Sequence, residues 1–108
     1  MRYCLALDLV NEEEKIAAYE AYHEEVWPEI IDSIKLSGIQ SMEIYRVENR
    51  LFMIMETDAS FSFEAKSLAD ANNPKVQEWE KRMWNYQQAL PSSQPGEKWR
   101  LMDKIFSL

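Results

Sequence analysis

The sequence predicts an α+β domain whose elements run β-α-β-β-α-β. Three observations carry that reading. Strand-like alternation occupies residues 2–10 and 99–106, near the two ends of the chain; two β-rich runs, 39–47 and 50–57, are joined only by Glu48-Asn49; and the intervals between these strands place apolar residues at helical spacings of three and four. With 108 residues, 46% of them apolar, and four Trp, five Tyr and four Phe, the chain has material for one domain over residues 1–108 with a substantial core.

In the first strand, Tyr3, Leu5, Leu7 and Leu9 alternate with Cys4, Ala6, Asp8 and Val10. Asn11 followed by Glu12, Glu13 and Glu14 reads as an N-cap with acids in the first turn, where they suit the helix dipole. The inward face of this helical region runs through Ile16, Tyr19, His23, Val26 and Trp27. Pro28 then kinks it or starts a second segment, and Ile30, Ile31 and Ile34 continue the stripe to Ser37-Gly38, where glycine can close a helix in the left-handed conformation. The hairpin 39–57 follows. Ser60 to about Asp70 reads as a weaker helix, Asn72-Asn73-Pro74 breaks it, and Val76, Trp79, Met83, Tyr86 and Leu90 mark a longer helix stopped by Pro91. After the turn-rich 92–96, Trp99, Leu101, Asp103 and Ile105 alternate with Arg100, Met102, Lys104 and Phe106 as a last strand. This is the split β-α-β order of ferredoxin-like folds. Apolar residues on both faces of the last strand predict that the uncovered face of the sheet meets a second copy, a homodimer.

Twelve basic residues against nineteen acidic ones give a net charge of −7, which argues against nucleic-acid phosphates and anionic membrane surfaces as partners. Cys4 is the one cysteine, so no internal disulfide or thiolate metal cluster is expected and a reducing cytoplasm fits. Residues 1–15 are too short in apolar run and too acidic for a signal peptide or membrane span. Two glycines in the whole chain exclude a glycine-rich phosphate cradle, and one histidine beside one cysteine makes a transition-metal site improbable.

His23 is the only histidine, and an imidazole, with a reference pKa of about 6.5, is the side chain suited to acid/base work near neutrality. On a continuous helix Tyr19, His23 and Trp27 would stand in one column able to hold a sugar. A structural histidine bonded to a nearby carbonyl is the plainer alternative. Asp8, Glu43 and Glu56 lie in otherwise apolar strands; one of them could serve as a base opposite His23, or alternation could turn them to solvent. Trp79, Trp84 and Trp99 could form a platform for the apolar face of a sugar or pack in the core.

The run Tyr19-Glu20-Ala21-Tyr22-His23-Glu24-Glu25-Val26-Trp27-Pro28-Glu29-Ile30 resembles the signature of the L-rhamnose mutarotase family: Tyr, three residues, His, then a hydrophobic-Trp-Pro-Glu run. The similarity continues in register through Glu43-Ile44-Tyr45, Leu51-Phe52-Met53 and Val76-Gln77-Glu78-Trp79, covering nearly the whole chain. It implies a cofactor-independent isomerase of the dimeric α+β barrel type that interconverts the α and β pyranose anomers of a 6-deoxy-L-sugar, a monosaccharide. It gives His23 the role of proton donor and Tyr19 a substrate contact, and places Trp79 in the sugar pocket. Met42 stands where the rhamnose-type pattern has a substrate-contacting Tyr, and Glu80 where it has a second Trp. The family also includes L-fucose enzymes, so these substitutions leave the substrate open between the two sugars. Related barrels include cofactor-free monooxygenases and non-catalytic binding modules; the Trp-Pro-Glu run argues against the first, while the second would bind sugar without speeding anomer exchange.

Overall fold

The computed structural model describes residues 1–108. Three long strands, β1 (Arg2–Leu9), β2 (Ile39–Val47) and β3 (Arg50–Thr57), form the centre of an antiparallel sheet in the order β2-β3-β1. Four helices fill the crossovers: α1 (Glu13–Glu24) and α2 (Pro28–Leu36) in the first, α3 (Phe63–Ala71) and α4 (Pro74–Trp84) in the second. Two short strands, β4 (Gln87–Gln88) and β5 (Arg100–Leu101), share the remaining edge of β1. The ferredoxin-like order is present, with each helical region split in two and the last strand divided. No helix is long and apolar enough to cross a membrane.

The split at Pro28 has a local cause. A residue before proline is pushed out of the α region, and Trp27 sits at φ −55, ψ 135, so α1 cannot run through it. Pro28 then opens α2 at a position where its missing N–H costs nothing. At the start of α1 the expected cap at Asn11 is displaced: Glu12 is the N-cap residue, without a side-chain hydrogen bond, and Glu13 and Glu14 supply the first-turn charge. Gly38 ends the α2 region at φ +99, as its position predicts. Ser62 caps α3 by accepting from the Ala65 N–H, and Asn73 caps α4 by accepting from Lys75 and Val76.

Two expectations are corrected in the C-terminal third. The helix drawn through Tyr86 and Leu90 stops at Trp84, because the edge of β1 takes the chain over: the Val10 N–H donates to the Tyr86 carbonyl, and Asp8 and Leu9 face Gln88 and Gln87. Satisfying exposed strand groups outweighs two further apolar residues in helical register. The last strand, expected over 99–106, is only Arg100–Leu101, with Met102 adding one bond to the Cys4 carbonyl. Given that Leu101 faces Leu5, residues beyond 104 lie past the start of β1 and have no strand to pair with.

The face of the sheet bearing Leu7, Leu9, Leu51, Met53 and Met55 packs under the helices. One apolar cluster joins Leu9 and Leu51 to Tyr19, Ile30, Val76, Trp79 and Met83; a second gathers Leu5, Ile39, Met53 and Met55. The opposite face carries Cys4, Ala6, Phe52 and Ile54 at its centre, with Tyr45 and Val47 exposed beside them.

Candidate active site

Tyr19 and His23 are one turn apart on α1, and their rings stack at 4.4 Å with 32° between planes. His23 Nδ1 lies 2.8 Å from the Tyr19 carbonyl. A carbonyl only accepts, so Nδ1 carries the hydrogen and the neutral ring keeps its lone pair on Nε2. Trp27 does not complete the expected column along α1, because the chain has left the helix before it. Trp79 of α4 joins the group from the other side, with its ring 5.7 Å from His23 and 5.1 Å from Trp27, both edge-on. Trp79 is 8% exposed and belongs to the core, so most of its surface is spent on packing and only part can face a ligand. Lys75 and Arg82 lie over the Trp27 ring at 5.4 and 5.5 Å, fixing the outer wall of this aromatic group.

Between helices and sheet lies a cavity of about 650 Å³, within the range of about 300–1,000 Å³ usual for small-molecule sites. Tyr19, His23, Met42, Trp79 and Glu80 all line it. Met42 enters from β2, where it pairs with Met55 of β3; Glu80 follows Trp79 on α4. The remaining wall is largely apolar, which lowers the local dielectric and strengthens any hydrogen bond made inside.

The acids expected as partners of His23 are elsewhere. Asp8 is buried on the opposite face of the sheet, where Arg50 Nε and an Nη donate to its two oxygens at 2.5 and 3.2 Å. Glu56 pairs with Arg2 at 2.7 Å, and Glu43 accepts from the Tyr45 hydroxyl at 3.1 Å. The carboxylates that do line the cavity are Asp70 and Glu80; Asp70 is held by Lys66 at 3.0 and 3.1 Å and by Ser33 at 3.4 Å. Of the expected tryptophan platform, Trp79 and Trp99 reach the cavity, while Trp84 is 41% exposed outside it beneath Lys98. No group of three or more histidine, cysteine or acidic side chains gathers at metal-binding distance.

A profile describing L-rhamnose mutarotase matches residues 2–108. The chain belongs to the L-rhamnose mutarotase family. A relative from Xanthomonas campestris pv. campestris named L-fucose mutarotase is 45% identical over 109 aligned residues, 99% of this chain and 87% of the relative. Among solved structures, the L-rhamnose mutarotase of Formosa agariphila superposes with a TM-score of 0.72 at 22% identity, covering 100% of this chain and 98% of that one. A dimeric ferredoxin-like protein from an uncultured marine organism superposes with a TM-score of 0.55 at 13% identity over 99% of this chain and 90% of that one. These two structures share the fold found here.

Several cavity residues escape a reading of the sequence, Asp70 and Gln87 among them. Gln87 is buried, lines the cavity, and its amide nitrogen lies 3.4 Å from the Tyr19 hydroxyl. Its position in the apparent helical register of Tyr86 and Leu90 hid it; the one available signal was an amide in a segment otherwise read as an amphipathic helix.

Proposed function

We propose that the protein is an aldose mutarotase that interconverts the α and β pyranose anomers of a 6-deoxy-L-hexose, with L-fucose preferred over L-rhamnose. The observation that carries this reading is His23 lining a largely apolar cavity with one ring nitrogen committed to the Tyr19 carbonyl and the other left for a substrate. The L-fucose preference rests on the 45% identity to a protein named L-fucose mutarotase and on Met42 and Glu80, which replace aromatic residues of the rhamnose-type pattern. Losing a phenol and gaining a carboxylate changes which sugar hydroxyls find partners, and unpaired buried hydroxyls are the strong discriminators.

Mutarotation needs a proton taken from the anomeric hydroxyl and another given to the ring oxygen; the C1–O5 bond breaks, the open aldehyde turns, and the ring closes on its other face. His23 exchanges its proton through Nε2 alone, accepting when neutral and donating as imidazolium, so one ring serves opening and closing. Glu80 is the second group of the pair in this reading: of the two cavity carboxylates, Asp70 is held by Lys66 and Ser33, whereas Glu80 accepts only a long bond of 3.5 Å from the exposed Gln77 amide. Tyr19 contacts a sugar hydroxyl, and the exposed part of Trp79 covers the apolar face of the ring. Dissolving crystalline α anomer and following optical rotation tests this: wild-type protein speeds equilibration, Glu80→Gln slows it, and His23→Ala returns it close to the buffer rate. Binding of either sugar without faster equilibration would favour the binding-module reading instead.

The functional unit we propose is a homodimer. Met102, Ile105 and Phe106 are exposed just after β5, at one edge of the sheet, and Tyr45 and Val47 are exposed on β2, at the other, so large apolar side chains stand open to a second copy at both edges. Cys4 is free, which fits a reducing cytoplasm.

A further inference from the structure

We propose that Gln87 is the positioning residue for Tyr19: its side-chain amide donates to the phenol oxygen, so that the phenol's own proton is directed into the cavity toward a sugar hydroxyl. The role for the sugar rests on the mutarotase reading; the Gln87–Tyr19 pair itself does not. Tyr19 is 4% exposed, and Gln87 is the one protein group hydrogen-bonded to its hydroxyl. A phenol has one donor and two acceptor positions; with an acceptor position filled by an amide, the O–H is left to donate. Both residues line the same cavity.

The two side chains approach from elements that are fixed independently. Tyr19 is held in the core cluster by α1, and Gln87 is fixed opposite Leu9 where β4 meets β1. Burial pushes the Tyr19 phenol pKa up, while the Gln87 hydrogen bond pulls it part of the way back. At neutral pH the group is therefore a donor, not a base. An aliphatic side chain would fill the same space without orienting that proton, which makes Gln87 a residue of binding geometry beyond its packing.

The test uses protein labelled with ¹³C at the tyrosine ζ carbon, with the Tyr19 resonance assigned through Tyr19→Phe. In Gln87→Leu the Tyr19 titration should move to higher pH, and KM for L-fucose in anomer exchange should rise about threefold to tenfold with kcat nearly unchanged. Gln87→Glu, which keeps the shape but offers a carboxylate acceptor, should raise KM further and also move the titration upward. Adding Gln87→Leu to Tyr19→Phe should cost nothing more. An unshifted Tyr19 titration in both Gln87 variants overturns the proposal whatever the wild-type rate. No acceleration of exchange by the wild type overturns the mutarotase reading, and the sugar contact with it, even when the titration shifts. If Gln87→Leu fails to fold, the isosteric Gln87→Glu decides by the same two readouts.

Discussion

At His23 the contact that matters most is with the backbone. The Tyr19 carbonyl 2.8 Å from Nδ1 is the structural bond that a lone histidine invites and, in the proposed mechanism, also the device that leaves Nε2 free to exchange a proton. His23→Ala should lower anomer exchange by roughly 10²- to 10⁴-fold while leaving the far-ultraviolet circular dichroism and melting temperature nearly unchanged, since the ring is only half-buried. Tyr19 makes a different prediction. Its phenol pKa is raised by burial, so its share of stability is complete below the unfolded value near 10 and is lost as pH climbs through the folded value. Denaturant midpoints measured from about pH 9 to about pH 11 should therefore fall less steeply in Tyr19→Phe than in the wild type. Tyr19 and His23 were legible in the sequence because a spacing of four fixes neighbours on any helix. Asp8, Glu43 and Glu56 were not, because alternation states which face a strand residue takes but not which arginine or tyrosine waits there.

At the scale of elements, the hairpin and its two-residue link follow from composition, yet Glu48 occupies φ 52, where a side chain is strained and glycine is not. Glu48→Gly should raise stability by about 0.5–1 kcal/mol in urea melts, relief of the backbone outweighing the entropy glycine adds to the unfolded chain. Gly38 behaves oppositely. At φ +99 an added Cβ would stand 2.6 Å from Asp58 Oδ1, the oxygen that accepts from Ser60, so Gly38→Ala should cost about 1–3 kcal/mol and loosen the junction of α2 with β2. Pro28 and Gly38 announced their breaks because their chemistry acts within one residue. The early end of α4 and the two-residue β5 were hidden, since both depend on how much free edge β1 offers and where that edge runs out.

For the whole molecule, the cavity is lined by residues of two apolar clusters on the helix-covered face of the sheet, one rich in aromatic residues from the helices and the other in methionines from the strands. Removing Trp79, which anchors the first cluster, should cost about 3–5 kcal/mol as Trp79→Ala, whereas Trp79→Phe should keep the fold and weaken sugar binding. In the proposed homodimer the exposed Ile105 and Phe106 are interface residues: Ile105→Lys with Phe106→Glu should shift light-scattering mass from dimer to monomer at micromolar concentration, and an unchanged dimer would move the interface elsewhere. The central claim is tested most directly by saturation-transfer NMR on the anomeric protons of L-fucose and L-rhamnose, with wild type, His23→Ala and no protein compared side by side. The account predicts faster anomer exchange with wild type, greater for L-fucose, and loss of nearly all of it in His23→Ala. Exchange no faster than in buffer for both sugars, from a folded protein, would contradict it.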